Sequence, residues 1–288
     1  GMNVPWTVLA IIDLAFMLLL VLAATMPVLK AKQYKQLGVV SKLVLLMLSN
    51  MLFYLGAGGI IDDGERWGLY SGIYMLIALV FVMARRVIPF FIEKGVDGQV
   101  EIKNRLWLDL TSLVLLIVLW IMDVFTNLET AVSIVAAALA ALHAVRMAGW
   151  YTRQIWNKPL LWVLYIAYGS LAAGFALKAA EIWFGLSSYI SVHAFAYGGI
   201  GVMTMGMMSR VILGHTGRNV FEPPAILFWC FALLICGALV RIVFPLFSMD
   251  LYLYWIGISQ LLWIAAFMIF LVVYAPMLWS TRIDGRDG

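Results

Sequence analysis

The chain has 288 residues, 65% of them hydrophobic and 12% charged, with a mean hydropathy of +1.00 and a formal net charge of +4. Soluble domains carry about 25% charged residues and are about half apolar, so that class is excluded. The apolar runs are continuous rather than alternating, which excludes a β-barrel and leaves an all-α, polytopic transmembrane helical bundle as one domain over residues 1–288.

Nine apolar runs long enough to span a bilayer follow one another: Pro5–Val28, Val39–Ile61, Gly68–Ala84, Leu106–Phe125, Thr130–Gly149, Pro159–Phe184, Tyr189–Leu213, Pro224–Leu246 and Leu251–Trp279. Pro5, Pro159 and Pro224 stand where a helix begins and a missing N–H costs nothing, and Gly214 can close one. Gly1 and Met2 have the look of a tag-cleavage scar, with no basic stretch before the first run. The longest connection, Arg85 to Arg105, contains RRVIPFF, whose Pro89 and aromatic pair predict a short interfacial or re-entrant segment.

The loops alternate in charge. All but three of the 19 Lys and Arg fall on one side: Lys30, Lys32, Lys35 and Lys42; Arg85, Arg86, Lys94, Lys103 and Arg105; Arg146, Arg153 and Lys158; Arg210 and Arg218; Arg282 and Arg286. The opposite loops keep Arg66, Lys178 and Arg241 among Asp62, Asp63, Glu65, Asp123, Glu129, Glu181 and Asp250. Basic loops stay cytoplasmic, so the N-terminus is expected outside and the C-terminus in the cytoplasm. This orienting role accounts for the positive net charge and leaves no reason to expect a nucleic-acid partner. The partner is the lipid bilayer.

Polar groups at membrane depth are costly and call for partners. Lys178 and Glu181, three apart, suit a self-neutralising pair or a wall for a cofactor's carboxylates. Arg241 has no sequence-local acid and is expected to meet Glu181, Asp123 or a bound anion. Asp13 and Asn50 suit hydrogen bonds between helices. Met203, Met205, Met207 and Met208 suit either adaptable packing or soft ligation of Cu(I). Cys230 and Cys236, six apart on different faces, are read as packing residues without a disulfide.

The chain has 3 His, and two of them, His193 and His215, bracket one glycine- and methionine-rich span, roughly 30 Å apart if helical. Arg210 and Arg218 stand beside His215. His143, toward the cytoplasmic end of the fifth span, matches His215 in depth, as two axial ligands of one haem would. No CxxCH, HExxH, CxxC, P-loop or GxGxxG pattern is present, which disfavours covalent haem, zinc hydrolysis and nucleotide-driven transport.

The stretch HAFAYGGIGVMTMGMMSRVILGHTGR at 193–218 resembles the signature of the NnrS family, bacterial inner-membrane proteins linked to nitric oxide and denitrification. The match falls on His193, Gly201, Met203, Gly206, Met208, Arg210, Gly214, His215, Thr216, Gly217 and Arg218. RRVIPFF at 85–91 and KPLLWVLYIAYGSLAAGFALKA at 158–179 support it. Relatives resemble twelve-span proteins with a W-H-A-H-E-type motif in their first part; this chain lacks that motif and resembles a form without the first spans. Tyr165 stands where many relatives carry His.

The resemblance implies a multi-pass protein of the bacterial cytoplasmic membrane that contains haem and copper and relieves nitrosative stress. His193 and His215 would then be metal ligands, His143 a further haem contact, and Arg210 and Arg218 anchors for propionates. Nitric oxide would be the ligand handled; whether the protein is an enzyme stays open. A transporter of small solutes or ions, with Arg241 and the Lys178–Glu181 pair along its path, is the alternative.

Overall fold

The computed structural model describes residues 5–98, 100–102 and 104–285. Gly1, Met2, Lys103 and Arg286, on which parts of the sequence reading rest, lie outside the described residues. Among the described residues there is no strand, and nine helical spans are long and apolar enough to cross a membrane. They are α1 (Trp6–Lys30), α2 (Leu37–Ala57), α3 (Gly64–Gly95), α4 (Leu106–Phe125), α5 (Glu129–Trp150), α6 (Pro159–Phe184), α7 (Ser188–His215), α8 (Leu227–Ile242) and α9 (Tyr252–Trp279). The all-α polytopic architecture is therefore as expected, and the protein is a multi-pass membrane protein.

The largest departure is in α3. The expected interfacial segment at RRVIPFF is instead helix, and α3 runs unbroken through Pro89 to Gly95. A proline inside a helix normally strands the carbonyl four residues earlier. Here Asn104 Nδ2 donates to the Arg85 carbonyl at 3.3 Å and replaces the missing donor. The turn after the helix is held by Glu93, whose carboxylate accepts from the Ile102 N–H at 2.8 Å.

By contact the chain divides into two compact units. The first comprises Gly1–Met83 and Leu113–Glu129. In it the Asp13 carboxylate of α1 accepts from Asn50 Nδ2 at 2.7 Å and Tyr54 OH at 3.0 Å on α2, the interhelical bonding expected of Asp13 and Asn50. Tyr74 donates to Asp123 at 2.8 Å and the Trp120 indole to Ser71 at 2.9 Å, tying α3 to α4.

The second unit comprises Ala84–Ser112 and Thr130–Gly288. Its core is α6 and α7, the most buried spans of the chain. On α6, Val163, Ala167, Leu171 and Phe175 recur at helical spacing and are all sealed from solvent. Helix α7 is not uniform: Ala194–Gly201 is π-helical, between α-helical turns Ser188–His193 and Val202–His215. The wider π turn swings neighbouring side chains out of α-helical register. Helix α8 breaks at Val243, before Pro245 in the short helix Phe244–Phe247. Cys230 is buried, Cys236 is exposed, and both are free thiols, as their separate faces predict.

Candidate functional site

The π turn of α7 forms one wall of a groove of about 250 Å³ lined by His193, Ala196, Tyr197, Arg241, Gln260 and Trp263. His193, half-buried, sits at the last α-helical residue before the turn. Its Nε2 lies 2.9 Å from the Tyr252 hydroxyl on α9, and the two rings are nearly parallel. Tyr197 leaves the turn toward α8 and α9, where its hydroxyl donates to the Ser259 carbonyl at 2.9 Å. Trp263 meets the Tyr197 ring edge to face at 4.7 Å.

Two glycines make this approach feasible. A Cβ on Gly237 would lie 2.1 Å from the Tyr197 oxygen, and one on Gly201 would lie 2.6 Å from the Trp263 ring. Gly201 of the signature span thus admits a side chain from α9, and Gly237 of α8 admits one from the signature span.

Arg241 is the charge of the groove. It lies near the end of α8, and Nη1 donates to Ser259 Oγ at 3.2 Å. Its guanidinium also lies 6.0 Å from the Tyr197 ring centre. The expected acid partner is not there: Glu181 is held by Lys178 at 2.9 Å and by the Ser191 hydroxyl. Among the described residues no carboxylate pairs with Arg241. The groove therefore offers a cation and an imidazole with no anion of its own.

The other residues singled out from the sequence fall in different settings. His143 is fully buried on α5, with Nδ1 at 2.6 Å from the Tyr168 hydroxyl and its ring stacked on Phe175. Arg210 is buried, with its guanidinium 3.8 Å from the centre of the Phe91 ring. His215 is exposed at the end of α7, where its carbonyl accepts from Arg282 at 3.1 Å. Asp284 bonds Arg282 and raises its pKa further above the ordinary guanidinium value. Arg218 donates to the Thr216 carbonyl and Ser280 Oγ. His193 and His215 thus belong to opposite ends of one helix, and only His193 lines the groove.

A second cavity, about 430 Å³, opens where α4 and α5 meet the α3–α4 connection and is lined by Arg105, Asp109, Arg146 and Trp150, among others. Asp109 is clamped by Arg85 at 2.9 Å and Arg146 at 3.0 Å. Arg146, 5% exposed, also donates to Ser112 Oγ at 3.1 Å and approaches the Tyr168 hydroxyl at 3.4 Å.

Residues 1–282 match the family model described as NnrS protein. The chain belongs to the NnrS family. No curated protein and no solved structure matches it. Membership in the NnrS family suggests a protein of the response to nitric oxide.

The residue types lining the groove suit a haem better than a copper ion. His193 would hold the haem iron, Arg241, with no carboxylate partner among the described residues, would meet a propionate, and the rings of Tyr197 and Trp263 would contact the macrocycle. Copper would need converging soft or imidazole donors. Among the described residues no group of three or more His, Cys, Asp or Glu could hold a metal ion. Of the four methionines of α7, Met205 packs its sulfur 3.2 Å from buried Cys230 Sγ. Tyr165 donates to the Met147 carbonyl at 3.1 Å.

Tyr197, Tyr252, Gln260 and Trp263 were not among the residues read from the sequence. The available signal was phenols and an indole inside apolar runs, since buried Tyr and Trp need partners for their polar atoms.

Proposed function

We propose that this is a protein of the bacterial cytoplasmic membrane, with the N-terminus outside and the C-terminus in the cytoplasm, that answers nitric oxide through a haem in the His193–Arg241 groove. One observation carries the reading. The imidazole of the family's signature span and a guanidinium with no acid partner among the described residues open onto the same groove beside a π turn.

His193 would hold the haem iron, with Tyr252 orienting its ring. Arg241, oriented by Ser259, would pair with a propionate and neutralise it at membrane depth. Tyr197 and Trp263 give the groove an aromatic wall, which would favour an uncharged diatomic over ions. A bound haem supplies the iron that coordinates nitric oxide. Copper enters this reading on the family resemblance alone. His143, Arg210, His215 and Arg218 act outside the groove, and His215 is not required for haem retention.

The test is purification in detergent with haem supplied. Wild type should carry a Soret band, His193→Ala should lose it, and His215→Ala should keep it. A Soret band undiminished in His193→Ala, or absent from wild type, overturns the assignment.

A further inference from the structure

Five buried rings form a continuous column through the second unit. Trp150 meets Tyr168 at 4.8 Å between centres, Tyr168 meets His143 at 5.6 Å, His143 stacks on Phe175 at 5.6 Å, and Phe175 meets Phe195 at 4.8 Å. None is more than 3% exposed. One end, Trp150, lines the larger cavity, while Phe195 lies within the π turn, two residues from both His193 and Tyr197 of the groove. The backbone is cut back to admit the column: a Cβ on Gly174 would lie 2.5 Å from the Phe195 ring.

Packing explains touching rings, but the centre of the column carries chemistry. Tyr168 holds its hydroxyl 2.6 Å from His143 Nδ1 at zero exposure. Arg146 donates to the phenol oxygen at 3.4 Å, and in the tautomer that carries its proton on Nε2 the imidazole accepts the phenol hydrogen at Nδ1. A phenol loses an electron readily only if its proton leaves with it, and the neutral imidazole is a base placed to receive that proton.

We propose that Tyr168 is a redox-active tyrosine, with His143 as its proton acceptor and the ring column as the electron path between the two cavities. The oxidant is a nitrogen-oxide radical of the nitrogen dioxide class, formed where nitric oxide meets oxygen in a bilayer. Nitrogen dioxide takes one electron and becomes nitrite. Tyr168 loses that electron and its O–H bond, a new N–H bond forms at His143 Nδ1, and a neutral tyrosyl radical faces an imidazolium. A thiolate at the Trp150 cavity returns one electron, becoming a thiyl radical, and the proton goes back to the phenol. The cycle removes an oxidant that would otherwise attack lipid.

The test needs no cofactor, so its failure and that of the haem reading are distinguishable. A ruthenium polypyridyl photo-oxidant is attached at Glu101→Cys, on the rim of the Trp150 cavity, in a Cys236→Ser background that leaves only buried Cys230. After flash and quench, electron paramagnetic resonance should show a tyrosyl radical that vanishes in Tyr168→Phe. In His143→Phe, loss of the base should slow its formation by about 100-fold or more. Trp150→Phe should slow it with Tyr168 intact, which keeps the proposal testable if Tyr168→Phe does not fold. Absence of a tyrosyl signal in wild type, its persistence in Tyr168→Phe, or a rate indifferent to Trp150→Phe overturns the proposal.

Discussion

Asp109 receives two guanidinium groups inside the second unit, and the three side chains are unequal partners. Arg146 is 5% exposed and Asp109 15%, whereas Arg85 is 29% exposed. Removing Arg146 leaves Asp109 to the more exposed Arg85 alone and also takes a buried donor from Ser112 Oγ and the Tyr168 hydroxyl. Arg146→Met should therefore cost about 3–5 kcal/mol, while Arg85→Met, nearer the surface, should cost about 1 kcal/mol or less. Reversible unfolding in detergent checks the order; equal losses would contradict it. A glycine contrast makes a similar point. Gly237→Ala drives a methyl into the Tyr197 oxygen and should cost about 1–3 kcal/mol, whereas Gly38→Ala meets nothing within 4 Å and should be neutral or mildly stabilising.

The helices show which features of the chain were legible before the structure. Each span is an unbroken apolar run, and that signal survives without knowledge of neighbours. Pro89 misled because a local rule reads it as a helix end, whereas Asn104, fifteen positions later, restores the lost bond to Arg85. His193 stood out as a titratable group at a membrane mouth. Arg241 stood out as a charge without a local acid, but its meeting with His193 did not, since Arg241, Tyr252, Gln260 and Trp263 arrive from α8 and α9 and no local spacing encodes that convergence. The π turn was hidden for the same reason: its glycines could equally serve an ordinary close-packed helix. Deleting Gly199 should reset the turn to α geometry and rotate the residues before it by about 100° relative to those after it. The His193–Tyr252 contact should then be lost. A crosslink between His193→Cys and Tyr252→Cys that forms in the parent and fails in the deletion would bear this out.

Across the whole chain, the charge pattern and the groove make separate claims. In the proposed orientation, the loops after α1, α3, α5 and α7 and the C-terminus face the cytoplasm. Single cysteines at Lys32 and Arg282 in a Cys236→Ser background should resist a membrane-impermeant thiol reagent in intact cells, and one at Ile60 should react. The reverse pattern would invert the topology and leave the fold untouched. The central claim, a haem held by His193 and Arg241, is tested most directly by one difference spectrum. Haem-loaded protein reduced with dithionite should shift its Soret band when nitric oxide is added. Arg241→Gln should keep that shift with weakened haem retention, and His193→Ala should lose it. Equal haem content and equal shifts in wild type, His193→Ala and Arg241→Gln would contradict the account.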